Sequence, residues 1–176
     1  MATIKQGIAV VNFEVYVSGT TRLIGIANVE LPTVEMETAD MKGNGIEGTI
    51  TMPVRANNAS LELKLTWRTF ERQAVGLFGH KAIDLSLYSV QEHINASTGA
   101  LSDPQHKIET RVVPKTLNIG KWEPSSTTDS ENTFEIITLN YVIDGKEVLD
   151  IDKLNYVFKV NGTDYAKPVR TGLGLN

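Results

Sequence analysis

Cysteine is absent from this chain of 176 residues. Disulfides, thiolate zinc sites, iron–sulfur clusters and cysteine nucleophiles are therefore excluded together. A surplus of basic charge is also lacking, since 17 Lys and Arg stand against 21 Asp and Glu for a net charge of -4. Phosphate binding needs Lys and Arg gathered on one surface, so nucleic acid is a poor default partner. Aromatic residues make up only 7% of the chain, which argues against a stacking platform for sugars. No apolar run approaches membrane-spanning length. The patch Ile8 to Val11 is too short for a signal-peptide core, and charge returns at Glu14. The expectation is a soluble protein made in the cytosol, without stable membrane association.

What is present is a composition ordinary for a folded protein, 41% hydrophobic and 22% charged. The length suits one domain with a sizeable core. The dominant period is two. Leu61, Leu63, Leu65 and Trp67 alternate with Glu62, Lys64, Thr66 and Arg68, the pattern of a half-buried strand. Phe13, Val15 and Val17 repeat it, as do Ile108, Thr110 and Val112, and Tyr156, Phe158 and Val160. Asn161-Gly162 and Asp144-Gly145 each supply a tight hairpin turn. The phase slips between Ile136 and Ile137 and between Leu87 and Tyr88, which predicts a bulge or a strand buried on both faces. Phe70, Ala74, Leu77 and Phe78 fall at helical spacing after Thr69, and Gly79 ends the run. Trp67 is expected in the core and Trp122, between Gly120 and Pro124, at the surface. The predicted class is mainly β: an antiparallel two-sheet sandwich or barrel with one short flanking α-helix and a long extended hairpin.

That hairpin is the most informative local stretch. Folding Val34 to Val54 at Gly43-Asn44-Gly45 places Val34, Met36, Ile50, Met52 and Val54 on one face, with Ile46 near the tip. Glu35, Glu37, Glu47, Thr49 and Thr51 fall on the other. A two-stranded ribbon of roughly 30 Å is marginal alone in water and offers long edges for pairing. The pattern is compatible with a ribbon folded back over its own core and, equally, with one that pairs edge to edge with neighbouring subunits.

Chemistry is sparse. Gly43-Asn-Gly-Ile-Glu-Gly48 matches the dinucleotide pattern, but Thr49-Ile-Thr-Met-Pro53 follows where a helix is required, so the match is rejected. His80, His93 and His106 lie thirteen residues apart without a second ligand at zinc-site spacing. Asp144, Glu147, Asp150 and Asp152 are interleaved with Lys146 and Lys153, which reads as a solvated mixed-charge surface. No catalytic, cofactor-binding or metal-binding residue is assigned, and no cofactor is expected.

Several stretches, in order, resemble the major tail tube protein of contractile-tailed phages and R-type bacteriocins. They are Asn12-Phe-Glu-Val-Tyr-Val17, Leu23-Ile-Gly-Ile-Ala-Asn-Val-Glu-Leu-Pro-Thr-Val-Glu35, Gly43 to Gly48, and Leu63-Lys-Leu-Thr-Trp-Arg-Thr69. The most specific is Ile143-Asp-Gly-Lys-Glu-Val-Leu-Asp-Ile-Asp-Lys-Leu-Asn-Tyr-Val-Phe-Lys-Val-Asn-Gly-Thr-Asp-Tyr165, followed by Gly172-Leu-Gly-Leu175. The region from about Gln73 to Ser130 carries the least resemblance.

The resemblance implies a structural subunit and not an enzyme, a single unit over residues 1–176 with 34–54 as an assembly hairpin. It implies hexameric rings that stack into a hollow tube, surrounded by a sheath whose contraction drives the tube through a target envelope. Sheath, baseplate and tape-measure proteins are the implied partners, with DNA as non-specific cargo in the lumen of a phage. The implied location is synthesis in the bacterial cytoplasm and assembly into a virion tail or extracellular bacteriocin. Glu35, Glu37 and Glu47 are then the expected lumen-facing residues, and Val34, Met36, Ile46, Ile50 and Met52 the expected subunit contacts. A monomeric β-sandwich ligand-binding module, a hydrolase with a dispersed site using one of the three histidines, and a tube-initiating or tail-terminating ring are the alternatives.

Overall fold

A computed structural model describes residues 5–175. The ends of the chain, residues 1–4 and 176, lie outside the described residues. Among the described residues thirteen strands and two short helices follow one another: β1 (Lys5–Val17), β2 (Thr21–Arg22), β3 (Ile26–Glu30), β4 (Met36–Met41), β5 (Ile50–Asn58), β6 (Glu62–Trp67), α1 (Arg72–Gly76), β7 (Ile83–Asn95), β8 (Leu101–Ser102), β9 (Gln105–Asn118), β10 (Ser130–Ile143), β11 (Lys146–Asp152), β12 (Val157–Val160), β13 (Thr163–Asp164) and α2 (Lys167–Gly172). The mainly antiparallel β class is as the alternation predicted.

Eleven strands form one branched sheet with the path β13-β12-β11-β10-β9-β7-β1-β2, and β4 and β5 form a second, two-stranded sheet. The branch point is β10. Its first half, Ser130 to Glu135, pairs with β6, and its second half, Thr138 to Ile143, pairs with β11 on the same edge. Strand β9 runs along the other edge throughout. The ladder slips between Ile136 and Thr138, at the phase break visible in the sequence, and this lets one strand serve two partners. At Leu87 and Tyr88 β7 pairs without a slip, and the face that carries Leu85 and Leu87 is buried while Asp84 and Tyr88 on the other face are exposed, so the strand is neither bulged there nor covered on both faces.

Strand β6, paired to β3, brings Leu61, Leu63, Leu65 and Trp67 into the core without exposed surface to spare. They join Val15, Leu85, Val112, Phe134, Ile136 and Ile151 in one apolar cluster. Helix α1 closes one end through Ala74 and Leu77. It lies where the helical spacing predicted, but it is little more than a single turn, with Glu71 at the N-cap position and no side-chain capping bond. Helix α2 was not anticipated. Its apolar periodicity is short, and Arg170 holds it by bonds to the Asp164 carboxylate and the Tyr156 carbonyl.

The expected hairpin turns are present. Asn161 and Gly162 have φ of 49° and 81°, and Asp144 and Gly145 have 48° and 75°, the left-handed pair that a two-residue hairpin requires. The large sheet does not close on itself, since β2 and β13 end its path without pairing to one another.

Candidate assembly surfaces

The second sheet is the predicted long hairpin, with a different register. Met41 pairs with Ile50, Ala39 with Met52 and Asp40 with Thr51. The connection is therefore an eight-residue loop, 42–49, and not a tight turn at Gly43-Asn44-Gly45. Gly45 and Gly48 both adopt positive φ, 91° and 87°, and the added bend at Gly48 lengthens the loop. Paired residues share a face. Ala39 and Met41 thus join Ile50 and Met52, while Asp40 joins Thr51, which donates a 2.9 Å hydrogen bond to its carboxylate. The expected split into an apolar even face and an acidic odd face is corrected accordingly. The ladder is interrupted between Met36 and Thr38, and Glu37 lies at that interruption. Glu35 lies just before β4, its carbonyl accepting from the Ala59 amide, and Glu47 and Ile46 lie in the loop.

The ribbon does not fold back over the core. Every residue of β4 is exposed, and Val34, Met36, Met41, Ile50, Met52 and Val54 all present apolar surface to solvent. A second extension escaped the sequence reading. The first half of β1 pairs with the far end of β7, from Lys5 opposite Asn95 to Val10 opposite Gln91, and leaves Ile8, Val10 and Val11 exposed. The run Ile8 to Val11 lacks the alternation of a half-buried strand, and every residue from Lys5 to Asn12 is exposed.

Two further features lie at the ends of the sheet. One is Trp122, 91% exposed, in the loop between β9 and β10. The other is an apolar groove of about 280 Å³ where β3 crosses β1, β7 and β9, with Phe13, Val29, Leu31, Leu87, Ile108 and Tyr141 among its walls. His106 lies beside it. Its Nδ1 meets the Tyr141 hydroxyl at 2.6 Å, and burial lowers its pKa, helped by the neighbouring His93. The imidazole is thus neutral near pH 7. His80 sits apart on an exposed loop. Among the described residues no three His, Cys, Asp or Glu side chains gather as metal ligands, and no helix is long and apolar enough to cross a membrane.

Charged groups pair locally on the sheet surface. Arg111 bonds both oxygens of Asp84 at 2.7 and 3.2 Å, and this hydrogen bonding holds the Asp84 carboxyl below its usual range. Lys159 meets Asp150 at 2.8 Å. The acidic region expected to be a mixed-charge surface is one.

The class the fold defines is a mainly antiparallel β domain that leaves a ribbon, a strand extension and a loop tryptophan uncovered. Residues 9–174 match the family described as phage tail tube protein FII, and the chain belongs to that family. It is 25% identical over 166 residues to the major tail tube protein of Serratia phage KSP20, covering 93% of this chain and 94% of that one. Among solved structures it is similar to a chain of the sheath/tube terminator of the PVC extracellular contractile injection system, with a TM-score of 0.52 and 14% identity over 77% of this chain and 96% of that one. A chain of the PVC sheath-tube complex matches with a TM-score of 0.49 and 14% identity, covering 74% and 88%. The family is one of structural tail components of the virion, not of enzymes.

Proposed function

We propose that this subunit forms hexameric rings that stack into the hollow inner tube of a contractile phage tail or R-type bacteriocin, with the β4–β5 ribbon joining neighbours. The observation that carries the reading is the ribbon itself: two paired strands, exposed on both faces, with free outer edges. Free edges and exposed methionines are liabilities in a lone subunit and are relieved when strands of adjacent copies close a barrel. In this proposal residues 1–176 act as one unit, a sheath surrounds the tube, and baseplate and tape-measure proteins meet its ends. DNA is non-specific cargo where the particle is a phage.

In the same reading Glu35, Glu37 and Glu47 face the lumen and repel phosphate, while Val34, Met36, Ile46, Ile50 and Met52 lie at subunit contacts. The register bears on these assignments, because Ile50 and Met52 share a face with Ala39 and Met41. Lysine at Glu35 and Glu47 is expected to leave tubes intact and slow DNA passage, measured as ejection kinetics. Lysine at Glu37, where the ladder is interrupted near the base of the ribbon, is expected to do the same, and loss of tubes in Glu37→Lys would place Glu37 at a subunit contact instead.

Negative-stain electron microscopy of the purified protein across a concentration series tests the main reading. Hollow tubes or rings of constant diameter are expected. Particles that stay monomeric at every concentration, even with baseplate seeds, would overturn it in favour of a monomeric binding module. The likeness to a terminator chain favours a second reading, a ring that caps a tube. Uniform rings that never elongate would select it.

A further inference from the structure

The Trp122 loop is an organised projection. The Lys121 amide donates to the Thr128 carbonyl at 2.9 Å, and the Thr128 amide donates to the Arg68 carbonyl at 2.9 Å, which ties the loop to the end of β6. The Gly120 amide donates to Asn118 Oδ1, also at 2.9 Å. Gly120 has φ of 82°, and a Cβ there would sit 2.0 Å from the Thr128 carbonyl oxygen, so the turn requires glycine. The backbone around Trp122 is thus fixed while its indole stays in water. A large aromatic on an ordered backbone leaves only its side-chain rotamers to be ordered on docking, and such residues are the usual anchors of interfaces.

The apolar groove has the dimensions of a receptor for such a side chain. A cavity of ~150 Å³ accommodates a benzene ring, so about 280 Å³ accommodates an indole. Asn28, Ser89 and Gln91 stand among its lining residues and offer polar partners for an indole N–H. Val10 and Leu31, both more than half exposed, mark its mouth as open.

The two features cannot meet within one chain. Ile108, in the groove wall, is near the start of β9, and Trp122 follows its end. The run from Ile108 to Asn118 alone spans ~33 Å at the usual rise per residue. A knob at one end of a strand and a hole at the other form a heterologous contact, the kind that propagates from copy to copy instead of closing a two-fold dimer.

We propose that Trp122 of one subunit inserts into the β3–β1–β7–β9 groove of a second copy, head to tail. This rests on the tube-forming reading above and names one contact within it. The fused five- and six-membered rings of the indole lie against Phe13, Leu87 and Ile108, with the N–H turned toward Asn28, Ser89 and Gln91.

The chain has two tryptophans, and Trp67 is fully buried while Trp122 is 91% exposed. Acrylamide quenching of subunit fluorescence therefore reports Trp122. In assembled wild-type particles that quenching is expected to disappear. Trp122→Ala is expected to raise the concentration needed for assembly about tenfold or more, Trp122→Phe to recover part of it, and Val10→Arg, at the groove mouth, to match the alanine variant. Neither position belongs to the buried core, and thermal melts check that the subunits stay folded. Tubes in which Trp122 remains quenchable, or an alanine variant that assembles at the wild-type concentration, would overturn the docking and leave the tube reading standing. Protection that arrives only when sheath protein is added would overturn it by giving Trp122 to a different partner. Wild-type subunits that assemble under no condition, seeds included, would bring down the tube reading and the docking with it.

Discussion

Trp67 carries a polar N–H into an otherwise apolar core, and Asn132 is the residue that makes this tolerable. Indole Nε1 donates to Asn132 Oδ1 at 2.8 Å, and Asn132 Nδ2 donates to the Ala74 carbonyl at 3.0 Å, so one buried amide joins β6, β10 and α1. The burial of Trp67 was legible from its place in the alternation. The amide was not, because a polar residue in a strand reads as solvent-facing until its partners are known. Asn132→Ala strands the indole N–H and the Ala74 carbonyl, and the expected cost is about 2–3 kcal/mol, read as a melting-temperature drop of roughly 5–10 °C. A second residue-scale prediction concerns acid. Burial alone pushes the Glu135 carboxyl up, but bonds from Lys153 Nζ at 2.8 Å, Ser60 Oγ at 2.5 Å and the Leu61 amide at 3.3 Å together hold it below its ordinary value. A carboxyl depressed in the folded state stabilises fully above its unfolded pKa of ~4.3, and that contribution is lost as pH falls through the folded pKa. Urea midpoints measured from pH 7 to 3 should fall more steeply for wild type than for Glu135→Gln. Equal acid limbs would show that the cluster contributes nothing to the pH dependence.

Elements were legible to the degree that local chemistry alone determines them. Asn161-Gly162 and Asp144-Gly145 dictate their turns because few other residues tolerate two successive positive φ values. The bulge in β10 showed as a phase break because a strand that changes partners must change the parity of its buried positions. The ribbon register was misread, since three glycines in six residues allow several loop lengths and exposed strands impose no burial pattern to choose among them. The register can be checked directly because the chain has no native thiol. Residues 41 and 50 are direct partners, whereas a turn at Gly43-Asn44-Gly45 places residue 38 opposite residue 50. Directly opposed residues have Cβ atoms about 4.5–5.5 Å apart, close to disulfide geometry. Met41→Cys with Ile50→Cys should cross-link rapidly under mild oxidation, and Thr38→Cys with Ile50→Cys slowly or not at all. The reverse ranking would restore the tight turn and with it the acidic and apolar faces first expected.

At the scale of the whole molecule, burial divides the chain into a part that folds and a part that waits. The core and the side chains packed on it draw on strands from β1 to β12 and on both sides of the ribbon, yet none comes from between Val29 and Leu61. This explains why the sequence disclosed the sandwich more readily than the assembly surface. Core positions leave a periodic trace, while exposed strands carry no burial pattern from which a partner could be read. Met36 and Asn58 are paired across the base of the ribbon, so their Cα atoms are close enough to be joined by a two-residue Asn-Gly turn. Replacing residues 37–57 with that turn removes none of the core residues. The shortened subunit should therefore melt within ~2–4 °C of wild type, the shift expected for about 1 kcal/mol in a domain of this size. In analytical ultracentrifugation it should sediment as a monomer at concentrations where wild type forms large particles. A shortened subunit that fails to fold would assign the ribbon to the stability of the single chain. One that folds and still builds tubes would move the joining role to the exposed first half of β1 and the Trp122 loop.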